Sequence, residues 1–397
     1  MYRVESFVSA RYGSAFAILR AMRRAAAGFC LVVFFAASAS AQHWRPGPAR
    51  DWYSEQGWLV GANYIPSTAI NQLEMWQAAT FDPQRIDLEL GWAEGIGMNT
   101  MRVFLHDLLW QQDAEGFKKR IDEFLRIANK HKMRVMFVLF DSRSDPAPKL
   151  GPQHAPTPGV YNSGWVQIPG AKALADPAEY PRLEAYVRGV VGAFAGDKRI
   201  IAWDLWNEPD ASTPEIYRKL EPANKKDLVL ALLPKVFEWA RAEHPKQPLT
   251  SGVWEGDWSA PEKLLPIEKI QLESSDVVSF HNFGSPEDFQ QRVEWLEEYN
   301  RPIFCTEYLA RPMRSTVDGI LPVAKDHNVA VFTGGLVAGK TQTYLPPDSW
   351  EHPVTDHEPP AWFQDIFRMD GTPYRREETG LISTLVRESK EKKKKKK

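Results

Sequence analysis

Along this chain, short runs of apolar or β-branched residues alternate with stretches whose apolar positions recur every three to four residues. The first kind predicts strands at Trp58–Ala62, Thr100–Leu105, Arg134–Phe140, Ile200–Leu205, Pro248–Val253, Asp276–Phe280, Pro302–Thr306 and Val329–Thr333. The second predicts helices over 83–96, 115–131, 177–195, 226–243, 285–299 and 313–326, with weaker patterns at 260–270 and 374–388. Eight strands, each followed by helical material, are the pattern of an α/β chain folded as a single (β/α)8 TIM barrel. A doubly wound sheet fits less well, because Gly61-Ala62-Asn63-Tyr64 leads to Pro66 where a glycine-rich phosphate loop would follow the first strand. Two irregular stretches, 141–176 and 338–372, follow strands and carry Tyr161, Trp165, Trp350, Trp362 and Phe363. In a barrel both lie over the C-terminal face, and their aromatic content suits the walls of a cleft.

The 397 residues, 43% of them hydrophobic, are enough to fill a large core. The formal charge of −2 hides an uneven distribution. Residues 1–41 hold five Arg and one Glu, residues 390–397 hold seven Lys and one Glu, and the body between them holds 37 basic against 49 acidic residues. A body at −12 has no electrostatic reason to bind nucleic acid, and a neutral ligand suits it better.

Residues 20–41 read as a secretory signal: Arg20, Arg23 and Arg24, the apolar run Ala25–Ala37, and Ala39-Ser40-Ala41 before the cut. The run is too short to span a bilayer, so no membrane span is expected in the mature chain. That chain would begin at Gln42 and would be secreted or periplasmic; Met22 by itself would start a signal of ordinary length, which would make residues 1–21 a misassigned start. It would keep Cys305 alone, which excludes an internal disulfide and cysteine-based metal clusters. The expected organisation is a signal at 1–41, a lead-in at 42–57, a catalytic domain at 58–388 and a lysine-rich disordered tail at 389–397.

The candidate chemistry sits at strand ends. Ile200 to Leu205 runs into Trp206-Asn207-Glu208-Pro209, which places Glu208 at a strand's C-terminal mouth. Pro302 to Thr306 runs into Glu307 three strands later. Across a closed barrel two such glutamates can approach to about 5–5.5 Å, the separation of retaining glycoside hydrolysis, in which one is nucleophile and the other acid/base. A single glutamate at a strand end is more simply a solvated group or a helix-cap neighbour; the pair is what argues for chemistry.

At these residues the chain resembles the cellulase-like glycoside hydrolases of family five and the wider clan A of retaining (β/α)8 hydrolases, from Trp58 to about residue 385. The resemblance implies that Glu208 in Asn207-Glu208-Pro209 is the acid/base, that Glu307 is the nucleophile, and that Asn207 holds the sugar 2-hydroxyl. It implies that Arg102 supports the nucleophile, with an internal salt bridge to Asp204 the alternative role, and that His281 belongs to the site. Asp141 and Asn63, ending strands three and one, are candidates for bonding sugar hydroxyls. Trp254, Trp258 and Trp350 are candidates for stacking on sugar rings or for packing loops onto the rim.

Two departures stand out. Phe283 occupies the place where relatives carry a tyrosine that contacts the nucleophile, and Phe332-Thr333-Gly334-Gly335 stands where they carry a tryptophan, so a void or a wider pocket is expected there. The resulting expectation is an exported, monomeric, retaining β-glycosidase or β-glycanase acting on neutral poly- or oligosaccharide, with no cofactor and no metal. The Glu208 carboxyl is expected to rise in pKa beside an ionised Glu307. A carbohydrate-binding pseudoenzyme and a transglycosylase on the same barrel are the alternatives.

Overall fold

The structure, a computed structural model, describes residues 43–395. The signal expected at 1–41 lies outside them. Eight parallel strands occur where the sequence places them: β1 (Val60–Asn63), β2 (Thr100–Phe104), β3 (Arg134–Asp141), β4 (Ile200–Asn207), β5 (Leu249–Thr250), β6 (Val278–His281), β7 (Ile303–Tyr308) and β8 (Ala330–Thr333). The helices are α1 (Pro46–Gln56), α2 (Gln72–Trp76), α3 (Pro83–Gly95), α4 (Asp107–Lys130), α5 (Ala171–Ala175), α6 (Tyr180–Ala193), α7 (Lys225–Ala242), α8 (Pro266–Ser274), α9 (Pro286–Glu297), α10 (Val317–Asp326) and α11 (Arg376–Lys395).

The sheet runs β5-β4-β3-β2-β1-β8-β7-β6, so first and last strands pair and the seam lies between β5 and β6. Beyond the two-residue β5, Val253 closes that seam: its N–H donates to the Ser279 carbonyl at 3.0 Å and its carbonyl accepts the His281 N–H at 3.0 Å. Both faces of these strands are covered, which is why they read as continuous apolar runs rather than alternating ones. Leu59, Met136, Ala202, Phe304, Ala330 and Phe332 cluster with Tyr53 of α1, whose ring lies 5.5 Å from Phe304. The lead-in therefore contains a helix that closes the barrel's N-terminal end, an element its proline- and tryptophan-rich sequence concealed. At the other end of the chain α11 continues to Lys395, so the lysine run expected in a disordered tail is helical as far as that residue.

Helix starts follow local chemistry. Proline opens α3 and α9 without losing a bond, while Asp82 accepts the Arg85 N–H and Ser285 the Asp288 N–H. The chemistry-bearing strand ends are irregular. Register shifts fall between Phe280 and His281 and between Cys305 and Tyr308, and such bulges re-aim the side chains beside them, here His281 and Glu307.

Candidate active site

Arg102, fully buried on β2, organises the mouth of the barrel. Its Nε and Nη2 donate to Asp204 Oδ2 at 3.0 and 2.7 Å, Nη2 also to Asn207 Oδ1 at 2.7 Å, and Nη1 to Asn63 Oδ1 at 2.7 Å and Glu307 Oε1 at 2.9 Å. All five N–H donors have partners, so the guanidinium is fixed in one orientation. Both roles weighed from sequence are present at once: Arg102 is an internal ion pair with Asp204 and a partner of Glu307.

Asn207 is held on its other side by Asp141, whose Oδ1 accepts its Nδ2 at 3.0 Å. Asp141 Oδ2 accepts the Trp165 indole N–H at 2.6 Å. Burial is the largest influence on Asp141 and raises its carboxyl to about 6. Asn63 donates to the carbonyls of Thr306 and Thr333 at 2.8 and 3.0 Å. Asp141 and Asn63, expected as contacts for sugar hydroxyls, therefore brace Asn207 and Arg102, and their amide and carboxylate groups are largely occupied within the protein.

Glu208 follows β4 with φ at +41°, a left-handed backbone that a non-glycine residue holds only where its surroundings impose it. Its buried Oε1 lies 2.9 Å from His281 Nδ1, and His281 Nε2 lies 3.8 Å from Glu307 Oε1, so one imidazole bridges the two glutamates. Donor atoms of Glu208, His281 and Glu307 all lie within 4.8 Å of one another. These three are the one such set among the described residues with the geometry to hold a metal ion, but Arg102 and Arg143 already place a cation against each carboxylate.

Arg143, from the loop after β3, approaches Glu208 Oε2 with Nε at 3.1 Å. Burial pushes the Glu208 carboxyl up, but Arg143, then the hydrogen bond and charge of His281, then Arg102, outweigh it and hold the group below the ordinary glutamate range. Sequence reasoning expected a raised value beside Glu307. It had no means of seeing the cation that a distant loop delivers.

The site opens into a cavity of about 960 Å³ lined by Glu208, Glu307, Asn207, Trp254, Trp350 and Phe283 among others. Trp254 donates its indole N–H to Asp210 at 2.9 Å and stands 5.7 Å from the Arg143 guanidinium. Trp350 meets Tyr217 edge-on at 6.0 Å. Trp258 is buried, against Phe280 and under Arg292, and is no platform for a ligand. Phe283 packs on His281 and Phe363, each with ring centroids at 6.3 Å. The void expected at Gly334-Gly335 is absent: a Cβ on Gly334 would meet Gln364 Nε2 at 2.1 Å, and one on Gly335 would meet Asp365 Oδ1 at 2.2 Å. Gln364 and Asp365, brought in by the loop after β8, fill that space and line the cavity. Sequence reasoning missed them together with Arg143, although Tyr161, one of the aromatics expected in the cleft wall, does line the cavity; the aromatic content of the two long loops was the only signal of their presence.

The fold recurs in solved structures. The GH5_18 protein of Streptomyces cattleya, solved with GlcNAc, superposes with a TM-score of 0.57 at 12% identity, over 84% of this chain and 80% of that one. The endo-1,4-β-mannanase of Rhizomucor miehei gives 0.55 at 11% identity, over 84% of this chain and 95% of that one. The exo-β-1,4-mannosidase of Opitutaceae bacterium strain TAV5 gives 0.57 at 17% identity, over 84% of this chain and 60% of that one. At such identities the likeness is one of fold. No curated protein sequence matches the chain. The family model for cellulase, glycosyl hydrolase family 5, matches residues 93–347, a span that includes Arg102, Glu208, His281 and Glu307, and the chain is a member of that family and an O-glycosyl hydrolase.

Proposed function

We propose that this chain is an exported retaining glycosidase that cleaves β-linked neutral oligo- or polysaccharide by double displacement, with Glu307 as nucleophile and Glu208 as acid/base. The observation that carries the reading is the approach of one oxygen of each carboxylate to within 4.8 Å of the other across the mouth. An inverting pair stands about 6.5–9.5 Å apart to admit a water between them. The Arg102 hydrogen bond holds Glu307 in one orientation, and Asn207, whose Oδ1 accepts from Arg102 and whose Nδ2 gives one hydrogen to Asp141, keeps its second Nδ2 hydrogen for a 2-hydroxyl. The net negative body favours a neutral substrate, and export rests on the signal-like residues 20–41. Among the described residues no helix is long and apolar enough to cross a membrane.

In the first half-reaction Glu307 attacks the anomeric carbon while the Glu208 proton passes to the departing oxygen; in the second Glu208 takes a proton from water, which displaces Glu307. Arg143 at 3.1 Å and His281 hold the Glu208 carboxyl low, so the protonation of Glu208 is the part of this reaction most sensitive to the Arg143 contact. Leaving-group dependence tests the assignment. Glu307→Ala should abolish glycosylation by every substrate. Glu208→Ala should still be glycosylated by an aryl glycoside with a good leaving group, while natural linkages lose roughly 10²–10⁴-fold. Azide should then rescue turnover with retained configuration. Equal losses for both substrate types, or an inverted product from the unaltered enzyme, refute the roles.

A further inference from the structure

The two long loops are joined to each other above the barrel. The N–H of Asn162 donates to the Thr341 carbonyl at 2.8 Å, that of Tyr161 to Ser349 Oγ at 2.8 Å, that of Gly159 to Gln342 Oε1 at 2.9 Å, and that of Val354 to the Gly159 carbonyl at 2.9 Å. Their parent strands, β3 and β8, have β1 and β2 between them in the sheet, so the joined loops wall off that side of the mouth. The loop after β4 touches both, through Trp350 against Tyr217 at 6.0 Å and Thr213 Oγ1 donating to the Ser144 carbonyl at 2.6 Å, while its Ile216 and Met313 of the loop after β7 line the cavity and are 71% and 55% exposed.

At the walled end lies a built polar surface. Gln364 and Asp365 are each 1% exposed and line the cavity, and Gln364 Nε2 has no hydrogen-bond partner. Gln364 Oε1 faces the Tyr161 hydroxyl at 3.4 Å, and Asp365 Oδ2 accepts from Thr343 Oγ1 at 2.9 Å. Their backbone is clamped from below. Arg311 donates to the carbonyls of Trp362, Gln364 and Asp365 at 3.2, 2.8 and 2.8 Å, and is itself neutralised by Glu378 of α11 at 2.8 and 2.6 Å. Asp365 is held at φ +61°, and Gly335, two residues past the end of β8, supplies the room its carboxylate occupies, as Gly334 does for the Gln364 amide. A buried amide left without a partner destabilises the fold, and Gln364 Nε2, packed against Gly334, gains a partner when the amide turns toward the cavity to meet a ligand hydroxyl. Strained, clamped and partly unsatisfied polar groups facing a cavity have the form of a recognition surface rather than a packed core.

The direction of the substrate follows from the glutamates. With Glu208 as the acid, the departing group belongs on the side of Glu208 Oε2, which faces Arg143 and, beyond it, Trp254. The sugar under attack then sits over Glu307 toward β8. We propose that Gln364 and Asp365 hold the ring hydroxyls of a terminal, non-reducing sugar against the walled end of the cavity, so that the enzyme removes single sugars from chain ends. This rests on the two-glutamate reading and adds the substrate class.

Reducing-end-labelled β-linked gluco-, manno- and xylo-oligosaccharides of two to six units test it, alongside the same chains blocked at the non-reducing end by a 4,6-O-benzylidene group. The first labelled product should be shorter by one sugar, and blocked chains should be neither cleaved nor bound by calorimetry. Gln364→Ala and Asp365→Asn should each lower kcat/KM for an aryl monoglycoside by roughly 3- to 10-fold, the value of one hydrogen bond, mainly through KM. The deoxy sugar that lacks the contacted hydroxyl should lose nothing further in Gln364→Ala. Gln364→Glu, which keeps the side-chain shape, controls for folding by its melting temperature. Internal cleavage, or equal cleavage of blocked chains, overturns the proposal while leaving the glycosidase reading intact. If no chain is cleaved the glycosidase reading fails instead, and equal binding of free and blocked chains then overturns this one separately.

Discussion

Replacing Arg143 with methionine keeps an unbranched apolar stem as far as the Nε position and removes the cation that lies 3.1 Å from Glu208 Oε2. At that distance the attraction is worth about 5 kcal/mol with an effective dielectric near 20 and about 1 kcal/mol in water. The Glu208 side chain is 6% exposed but that of Arg143 is 41% exposed, so solvent screens the pair and the lower part of this range applies. The Glu208 carboxyl should therefore rise by roughly 1–2 pKa units in the variant, since 1.36 kcal/mol corresponds to about one unit. His281 stays in place and keeps part of the depression.

The consequence is kinetic. An acid that is held low is deprotonated over most of the pH range, so the alkaline limb of kcat/KM for a substrate needing protonation reports Glu208. In Arg143→Met that limb should move up by 1–2 units, with activity rising on its alkaline side. An aryl glycoside whose leaving group needs no proton should show no such movement, which separates a change in Glu208 from general damage to the cleft. A limb that stays in place for the demanding substrate, or moves down, refutes the reasoning that Arg143 holds Glu208 ionised.

Three further outcomes follow from the same geometry. Phe283→Tyr adds one hydroxyl to a ring already packed on His281 and Phe363, so it should fold normally and shift the pH profile if the hydroxyl reaches Glu307; an unchanged profile in an active variant places the ring edge away from the nucleophile. Burial raises Asp365 to about 7, against the opposing Thr343 and Arg311, so its contribution to stability is full below the unfolded aspartate value near 4 and is lost as pH climbs toward 7; Asp365→Asn should flatten the decline of Tm across that window, and an unchanged slope refutes it. Mass spectrometry of the exported protein should find the N-terminus at or near Gln42, whereas retention of residues 22–41 would contradict the signal reading.

What the sequence discloses and what it hides divide along a physical line. The eight strands were legible because a parallel barrel buries both faces of each strand, which leaves uninterrupted apolar runs such as Val135 to Phe140. Glu208 and Glu307 were legible because a charged residue directly after such a run has few other places to be. Boundaries were less so: β4 extends to Asn207 and β7 to Tyr308, past the last apolar residues, because neighbouring strand ends supply hydrogen bonds to the polar ones. The helix at Pro46–Gln56 escaped because its stability comes from Tyr53 packing under the barrel rather than from its own periodicity.

The residues that qualify the chemistry lie in segments without periodicity, and there sequence offers composition but no partner. Arg143 is 65 positions from Glu208, Tyr161 is 203 from Gln364, and Gln364 and Asp365 take their places only because Arg311 and Glu378 clamp the backbone beneath them. Gly334-Gly335 read as an absence of side chain, yet the loop after β8 supplies two polar groups to the same space. The barrel therefore places the two glutamates at its mouth, and the two loops joined across β1 and β2 wall one side of the cavity above them. Loops can be rewritten without disturbing the strand ends that carry Glu208 and Glu307, so specificity can diverge among members of this family while the carboxylate pair stays in register.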